Sequence, residues 1–440
     1  MAYKFYGGVH PRTFKTLTYD KPIKRPFMPK KVVIPLSQHV GSPAEPVVSV
    51  GDNVTVGQAI AKASGYISSP IHATITGEVT RIAYSVTPTQ ARSMAITIES
   101  KDNEENQDFR LNAPRDVSAL SKEELLKIIK ESGIVGLGGA AFPTHVKLSP
   151  PKTKPIDTVI LNGAECEPYI TCDHRLMLEK SNEILKGLEI ILKILGAEKA
   201  FIAIEDNKLA AIYAMERALE KSGIRNPKPE IVVLKTKYPQ GAEKQVIKSV
   251  LNRVVPAGGL PLDVGCVVQN VGTAVAIYEA AHLGKPLIER VVTITGTCVR
   301  EPVNLWVRIG TLLSDLTNIF GGFEKEPKKI IFGGPVMGIN QYTMDVPIIK
   351  GSSGVVFLSD EDVHQEKESI CIRCGRCVEV CPMGLAPTTL MYRVKFEKFQ
   401  EAKDLGIVHC YECGSCAYTC PAKIPLLDWM KFGKSKLSTM

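Results

Sequence analysis

A cysteine run that occurs twice near the C-terminus constrains this chain more than any other feature. Cys371, Cys374, Cys377 and Cys381 are spaced C-x2-C-x2-C-x3-C and closed by Pro382; the same spacing returns at Cys410, Cys413, Cys416 and Cys420, closed by Pro421. Three closely spaced thiolates wrap one corner of an iron–sulfur cubane. The fourth, turned away by the proline, ligates the other cubane. The expected assignment is therefore crossed. Cys371, Cys374, Cys377 and Cys420 hold one [4Fe–4S] cluster, and Cys410, Cys413, Cys416 and Cys381 hold the second. Structural zinc uses two C-x2-C pairs or mixed Cys and His, and gives neither the third step nor the proline a purpose. The 28 residues between the runs, Pro382 to His409, exceed what a hairpin needs. Leu390, Val394 and Leu405 share a helical face there, and Lys395 to Lys403 is rich in helix formers. The spacing thus predicts an α-helical, double-cluster ferredoxin-like domain.

At 440 residues the chain has room for two to four domains. The best apolar stretch, Gly187 to Gly196, is interrupted by Glu189 and Lys193, so no membrane span is expected. Met1 to His10 lacks the apolar core of a signal peptide. Together with twelve cysteines this points to a reducing, cytoplasmic setting. The net charge is +8, and residues 1–31 carry eight Lys and Arg against Asp20 alone. A solvated or partner-facing basic extended arm over 1–35 is expected. Nucleic-acid binding is not, because no reading motif accompanies the charge.

Residues 36–115 alternate β-branched and polar residues between glycine turns, as in a small all-β module. Residues 116–288 alternate helical patterns with short apolar strands, the mark of a Rossmann-like parallel α/β domain. Its expected elements include helices over Met177–Leu195, Leu209–Ser222 and Val271–Leu283. Strand character resumes at Val291, a helix is expected within Gly310–Gly322, and residues 289–345 form a further β unit. The cluster domain is expected over 346–440. After Cys420, the apolar positions Leu426, Trp429, Met430 and Phe432 suggest a packed or docking helix.

Four polar or glycine-rich turns stand out in the α/β segment: Gly136 to Thr144, Asn162 to Pro168, Tyr238 to Glu243 and Asn270 to Thr273. Gly138 and Gly139 let backbone N–H groups approach an anion without Cβ obstruction, and Lys147 adds a cation suited to a phosphate. Asn162, Glu165 and Glu167 follow a buried-looking strand, and ligands of open α/β sheets bind beyond the carboxyl ends of strands. Of the four cysteines outside the runs, Cys266 and Cys298 read as core, and Cys166 as inert between two carboxylates. His145 and His174 read as wall residues.

These turns resemble, in order, G-R-G-G-A-G-F-P-T, N-A-D-E-S-E-P, Y-x-x-G-E-E and N-V-E-T of the FMN- and NADH-binding flavoprotein subunit of respiratory complex I. The resemblance implies that Gly136, Gly138, Gly139 and Lys147 cradle the FMN phosphate. Asn162, Asn270 and Thr273 would contact the flavin; Phe142, Glu165, Glu167 and Glu243 would face NAD(H), with Glu165 and Glu167 as the catalytic pair. Leu137, Ala164, Ala242 and Gly272 depart from the pattern.

Val50 to Ile60, with Ser69-Pro70 and Gly77 to Val79, resembles a biotinyl/lipoyl-type barrel-sandwich hybrid. Lys62 lacks a carrier context, which makes that module structural. Residues from Val291 to about Gly338 resemble an SLBB β-grasp module. Taken with Gly7 to Pro11, the glycine-rich Phe332 to Gly338 and the cysteine runs, this domain order resembles the RnfC family of Rnf complexes. That resemblance implies a peripheral, NAD(H)-reacting unit on the cytoplasmic side of the cell membrane. FMN and two [4Fe–4S] clusters would be its cofactors. Its partners would be an iron–sulfur subunit and integral membrane subunits, with ferredoxin reached indirectly. A soluble cobalamin-reductase-like enzyme and a non-catalytic electron-transfer subunit share much of this build and stay open as alternatives.

Overall fold

The computed structural model describes residues 2–26, 28–89, 92–100, 109, 113, 115–363 and 367–439. The polar separator expected at Ser100 to Asp108 lies outside the described residues apart from Ser100.

Residues 2–26 are not the solvated arm that the charge run suggests. Val9 pairs with Tyr238, and β1 (Ile23–Lys24) adds to a distant sheet. Lys15 is buried, its ammonium donating to the carbonyls of Glu167, at 2.9 Å, and Ile170. Arg25 makes a bidentate pair with Glu289, 3.1 Å on each arm. A count of charges cannot foresee this, because the carbonyls that bind the Lys15 ammonium lie more than 150 residues further along the chain.

The strand Lys31–Pro35, expected within the arm, is β2 of the barrel module. It is followed by β3 (Glu45–Pro46), β4 (Asn53–Val54), β5 (Ala59–Lys62), β6 (Ile71–His72), β7 (Gly77–Ser85) and β8 (Ser93–Glu99). These form two antiparallel sheets, β2-β8-β7-β4 and β3-β5-β6, closed over Val32, Ile34, Ile60, Ile71, Ile75 and Ile96. Lys62 lies within β5, in an ion pair with Glu45 at 3.4 Å, and not at a hairpin tip.

The α/β domain begins with α1 (Lys122–Glu131), opened by a Ser121/Glu124 capping box, and α2 (Thr144–Lys147). Then come β9 (Thr158–Gly163), α3 (Cys172–Glu179), α4 (Ser181–Leu195), β10 (Lys199–Glu205), α5 (Leu209–Ser222), β11 (Glu230–Leu234), α6 (Glu243–Leu251), β12 (Cys266–Asn270) and α7 (Val271–Leu283). The helix expected over Met177–Leu195 is two helices, because Lys180 leaves helical geometry at φ −132° and ψ 28°. The sheet is wholly parallel, in the order β11-β10-β9-β12. Ile184, Leu188 and Ile191 of α4 join Val275 and Ile277 of α7 in one core. Gly187 permits that approach, since a Cβ there would stand 2.0 Å from the Ala274 carbonyl oxygen.

The next unit holds β13 (Glu289–Gly296), β14 (Val303–Arg308), β15 (Lys329–Phe332), β16 (Ile339–Gln341) and β17 (Gly354–Leu358). With β1 they make a six-stranded sheet, β1-β14-β13-β17-β15-β16. Two expectations change here. The segment Gly310–Gly322 keeps only a 3-10 turn at Leu313–Leu316, because the Leu313 and Ser314 N–H groups bond to the carbonyls of Val346 and Met344. And β17 carries this sheet past residue 346, into the stretch expected to belong to the cluster domain. Buried Glu289 knits arm and sheet together. Against the upward push of burial, Lys285, Arg308 and Arg25 hold its carboxyl down at about 2.

The cluster domain is helical: α8 (Arg376–Glu379), α9 (Pro387–Lys395), α10 (Phe399–Asp404), α11 (Ser415–Thr419) and α12 (Leu426–Thr439). Leu390 and Val394 are buried against Leu426 and Met430 of α12, so the last helix packs into the domain. Leu405, expected on the same face, is 49% exposed. The chain leaves helical geometry between α9 and α10, where Glu397 takes φ 56°.

Candidate functional site

The four turns meet at the carboxyl-terminal edge of the β9–β12 sheet. Asn270 ends β12 and caps α7, its Oδ1 accepting from the N–H groups of Gly272 (2.8 Å) and Thr273 (3.3 Å). The Thr273 hydroxyl accepts from the Leu137 N–H at 2.9 Å, which docks the glycine-rich turn onto the start of α7. Gly138 stacks on Asn270 so closely that a Cβ would stand 3.0 Å from that side chain. Asn162, near the end of β9, donates to the Gly241 carbonyl at 2.8 Å and accepts from the Ala164 N–H at 3.0 Å. Lys147 and Glu243 form an ion pair, joining the first turn to α6. Phe142 is half-buried, and its carbonyl accepts from Gly136 at 2.9 Å.

The residues fit an anionic ligand. Gly138, Gly139 and Ala140 are exposed, and among the described residues their N–H groups have no acceptor. A Cβ on Gly139, which sits at φ +144°, would meet nothing within 4 Å. Such a run of exposed free donors is suited to phosphate, with the Lys147 ammonium retaining donors beyond the one that Glu243 takes.

The Asn162–Pro168 turn is fixed from behind by two buried lysines that no motif signalled. Lys15 holds the carbonyls of Glu167 and Ile170. Lys208 donates to the Glu165 carbonyl at 3.3 Å and pairs with Glu205 at 2.7 Å, both side chains almost fully buried. The carboxylates differ from expectation. Glu165 accepts from the Asp173 and His174 N–H groups, at 2.8 and 3.4 Å, and so caps α3. Glu167 accepts from the Val336 and Met337 N–H groups at 3.2 and 2.9 Å, and lies 3.3 Å from the Tyr238 hydroxyl. Each therefore braces its own surroundings. Burial pushes the Glu167 carboxyl up, against those hydrogen bonds.

Asp173 and Arg290 are further site residues that sequence reasoning missed. Asp173 accepts from the Asn270 amide at 2.7 Å, and burial, then the Glu165 charge, push its carboxyl up. Arg290 reaches the carbonyls of Leu137 and Lys350. Together with Leu176, Gly272 and Trp306 they line a cavity that adjoins the glycine turn at Leu137. His145 and His174 are buried and driven down to about 4 by desolvation, hence neutral near pH 7. The Cys166 thiol is pushed up by burial and by Glu205 and Glu167, as an inert thiol should be.

The two cysteine runs fold alike. In each, the residue before the second cysteine is left-handed (Arg373 at φ 55°, Glu412 at φ 63°) and donates its N–H to the first sulfur at 3.4 Å. A glycine at φ 76° follows the second cysteine in both, Gly375 and Gly414. Cys381, Cys410, Cys413 and Cys416 line one cavity with Tyr411 and Leu390, so the fourth cysteine of the first run does join the second run. Cys371, Cys377 and Cys420 fall in one apolar cluster of the domain, which Cys410 and Cys416 also join, and Cys374 is exposed. A tetrahedral zinc site would bring four sulfurs to about 3.8 Å of one another, given a Zn–S bond of about 2.3 Å. Among the described residues no three cysteine sulfurs lie within 4.8 Å, whereas a cubane needs wider spacing.

Comparison with known proteins accords with this geometry. Residues 3–104 match the RnfC barrel sandwich hybrid domain and 129–279 the Nuo51 FMN-binding domain. Residues 291–340 match the SLBB domain and 370–424 the 4Fe-4S dicluster domain. The C component of the proton-translocating ferredoxin:NAD(+) oxidoreductase complex of Clostridium ljungdahlii is 50% identical, covering 92% of this chain and 87% of its own length. The Na(+)-translocating counterpart of Acetobacterium woodii is 42% identical over 88% of this chain and 86% of its own. The chain belongs to the RnfC family of ion-translocating oxidoreductase complexes. A third member, from Rhodobacter capsulatus, is 41% identical over 99% of this chain and 84% of its own. An NAD+-reducing [NiFe]-hydrogenase shares the fold at a TM-score of 0.51 and 16% identity, covering 73% of this chain and 61% of that one. Among the described residues of this family member, no helix is long and apolar enough to cross a membrane.

Proposed function

We infer that this chain exchanges hydride with NAD(H) at the edge of the β9–β12 sheet and passes single electrons through two [4Fe–4S] clusters. It does so as the peripheral subunit of a membrane-bound, ion-translocating ferredoxin:NAD+ oxidoreductase. The observation that carries this reading is spatial: the four turns converge on one sheet edge, and Tyr238 of the third turn touches a cluster-binding loop. FMN supplies the conversion between a paired hydride and single electrons, which neither nicotinamide nor a cubane performs alone.

The protein's part is binding and orientation. The N–H groups of Gly138, Gly139 and Ala140, with Lys147, would hold the phosphate, and Gly136 keeps the turn closed on Phe142. Asn162, Asn270 and Thr273 set the sheet edge that would hold the flavin. Glu165 and Glu167 position the wall that NAD(H) meets, with Phe142 and Glu243 beside it. No general acid is required for hydride transfer, which accords with neutral His145 and His174. The protein meets an iron–sulfur subunit and integral membrane subunits on the cytoplasmic face; ferredoxin is reached through them.

The test is acid extraction of purified, iron-loaded protein, followed by an NADH–dye reductase assay with and without added FMN. Released FMN, dye reduction, and a slower rate in Glu167→Gln with iron and flavin retained are the expected results. Intact iron–sulfur absorbance with no FMN, and no reductase activity after reconstitution, would leave an electron wire. Recovery free of any membrane subunit from cells that express the whole complex would favour a soluble reductase.

A further inference from the structure

The two cysteine quartets are not equivalent in the fold. The loops around Cys381 and Cys413 are held at four separate points, two on the α/β domain, one on the N-terminal segment and one on the β15–β16 loop. The Tyr238 hydroxyl is 2.7 Å from the Cys413 carbonyl oxygen and 3.3 Å from Glu167 Oε1, so its single proton goes to the cysteine carbonyl. Gln245 of α6 donates to the Pro382 carbonyl at 3.3 Å. Gly8 donates to the Val380 carbonyl at 2.8 Å, and Gly7 lies so close that a Cβ there would stand 2.8 Å from the Cys381 carbonyl carbon. Gly414 abuts Val336, the residue whose N–H is bound by Glu167. Around these contacts Val9, Cys166, Tyr238, Val380, Tyr411 and Cys413 form one apolar cluster, with Tyr238 1% exposed.

The other quartet faces outward. Cys374 is exposed, and Ile370 and Ile372, which flank Cys371, are 88% and 67% exposed. Among the described residues, no hydrogen bond or ion pair joins residues 370–377 to another domain; their hydrogen bonds stay within the cluster domain. The residue beside the first sulfur also differs in charge. It is exposed Arg373 in this run, and in the other it is Glu412, paired with Lys434 at 2.6 Å.

We propose that the cluster held by Cys381, Cys410, Cys413 and Cys416 is the inner one, exchanging electrons with the flavin site, that the cluster of Cys371, Cys374, Cys377 and Cys420 is the outer one, and that Tyr238 is the positioning residue of the inner junction. This rests on the function inferred above. Two successive one-electron passes, inner quartet then outer, balance each hydride exchanged with the dinucleotide, and a one-electron protein carrier at the outer quartet takes or supplies both electrons. Tyr238 serves the passage by fixing the Cys413 loop to the Glu167 wall. Its donation to a carbonyl of a cluster ligand also withdraws negative charge from that cluster's surroundings.

The experiment uses full-length, iron-loaded, FMN-containing protein in a potentiometric titration followed by electron paramagnetic resonance. Tyr238→Phe is expected to keep its iron and sulfide and to move one cluster signal to lower potential. Arg373→Gln, which removes an exposed cation beside the outer quartet, is expected to lower the potential of the other signal only. In wild-type protein mixed with NADH and frozen at successive times, the signal insensitive to Arg373→Gln should appear first. That last measurement holds even where Tyr238→Phe fails to fold. Three results overturn the proposal: both variants moving the same signal, Tyr238→Phe moving neither, or the Arg373-sensitive signal appearing first. If NADH reduces neither cluster in protein that dithionite reduces fully, the inferred function falls, and this ordering with it.

Discussion

Replacing Lys350 with Met should make the stability of the junction between the barrel, α/β and β-grasp units respond differently to pH. Lys350 is 1% exposed, and its ammonium donates to the carbonyls of Pro70 at 2.9 Å and Gly133 at 2.6 Å, one from each neighbouring unit. Burial drives its pKa from 10.5 down to about 7, and among the described residues no carboxylate forms an ion pair that would oppose the shift. The unfolded chain then binds a proton over that interval and the folded chain does not, so stability rises with pH between about 7 and 10.5. At one pKa unit per about 1.36 kcal/mol, the cost of the buried charge is about 4 kcal/mol at pH 7 and about 2 kcal/mol at pH 9. Lys350→Met removes that cost but leaves the buried Gly133 carbonyl and the partly buried Pro70 carbonyl unpaired, a loss of about 1–3 kcal/mol each. The two effects nearly cancel at pH 7. At pH 9 the variant should be the less stable by about 2 kcal/mol more than at pH 7, read from the first cooperative transition in urea. A difference between variant and wild type that does not change from pH 7 to pH 9 refutes the reasoning.

Other expectations concern the site. Lys147→Ala removes the cation beside the open Gly138–Ala140 turn and should weaken FMN retention about ten- to a hundredfold, the worth of one charge-assisted hydrogen bond; equilibrium dialysis with fluorescence detection of FMN checks this, and unchanged affinity contradicts it. Cys413→Ser should lower iron and acid-labile sulfide by about half, since one quartet of two is broken; full loss or full retention tells against two separate quartets. Cys166 should resist iodoacetamide at pH 8 in the native protein, because burial and its carboxylate neighbours hold its thiol protonated; peptide mapping that finds it modified ahead of exposed Cys374 in the metal-free chain would reverse that view.

Local pattern made much of the fold legible. The helices Leu209–Ser222 and Val271–Leu283 have the bounds their periodicity and flanking signals indicate, Gly223 and Gly284 both ending them in the left-handed conformation. The carboxyl-edge rule located three of the four turns, and cysteine spacing predicted the crossing that brings Cys381 to Cys410, Cys413 and Cys416. What stayed hidden depends on long-range partners. Lys15 looked like one more surface cation, since nothing near it in sequence announces the carbonyls of Glu167 and Ile170. Leu313 follows a helical pattern, but pairing with Val346 prevails over its propensity. Glu165 and Glu167 stood in the right turn, yet their orientation follows from α3 and from the Val336–Met337 loop, neither of which the motif contains. Lys208 had a readable clue: it stands three residues beyond Glu205 at the end of β10, on the edge where the site lies.

The account's central claim is that a hydride acceptor and one-electron carriers work within this single chain. Anaerobic rapid mixing of the fully loaded protein with NADH, followed by flavin absorbance and then by paramagnetic resonance, tests it most directly. The account predicts flavin bleaching, with a reduced-cluster signal appearing after it. Protein that dithionite bleaches completely, but whose flavin absorbance NADH leaves unchanged, would contradict it.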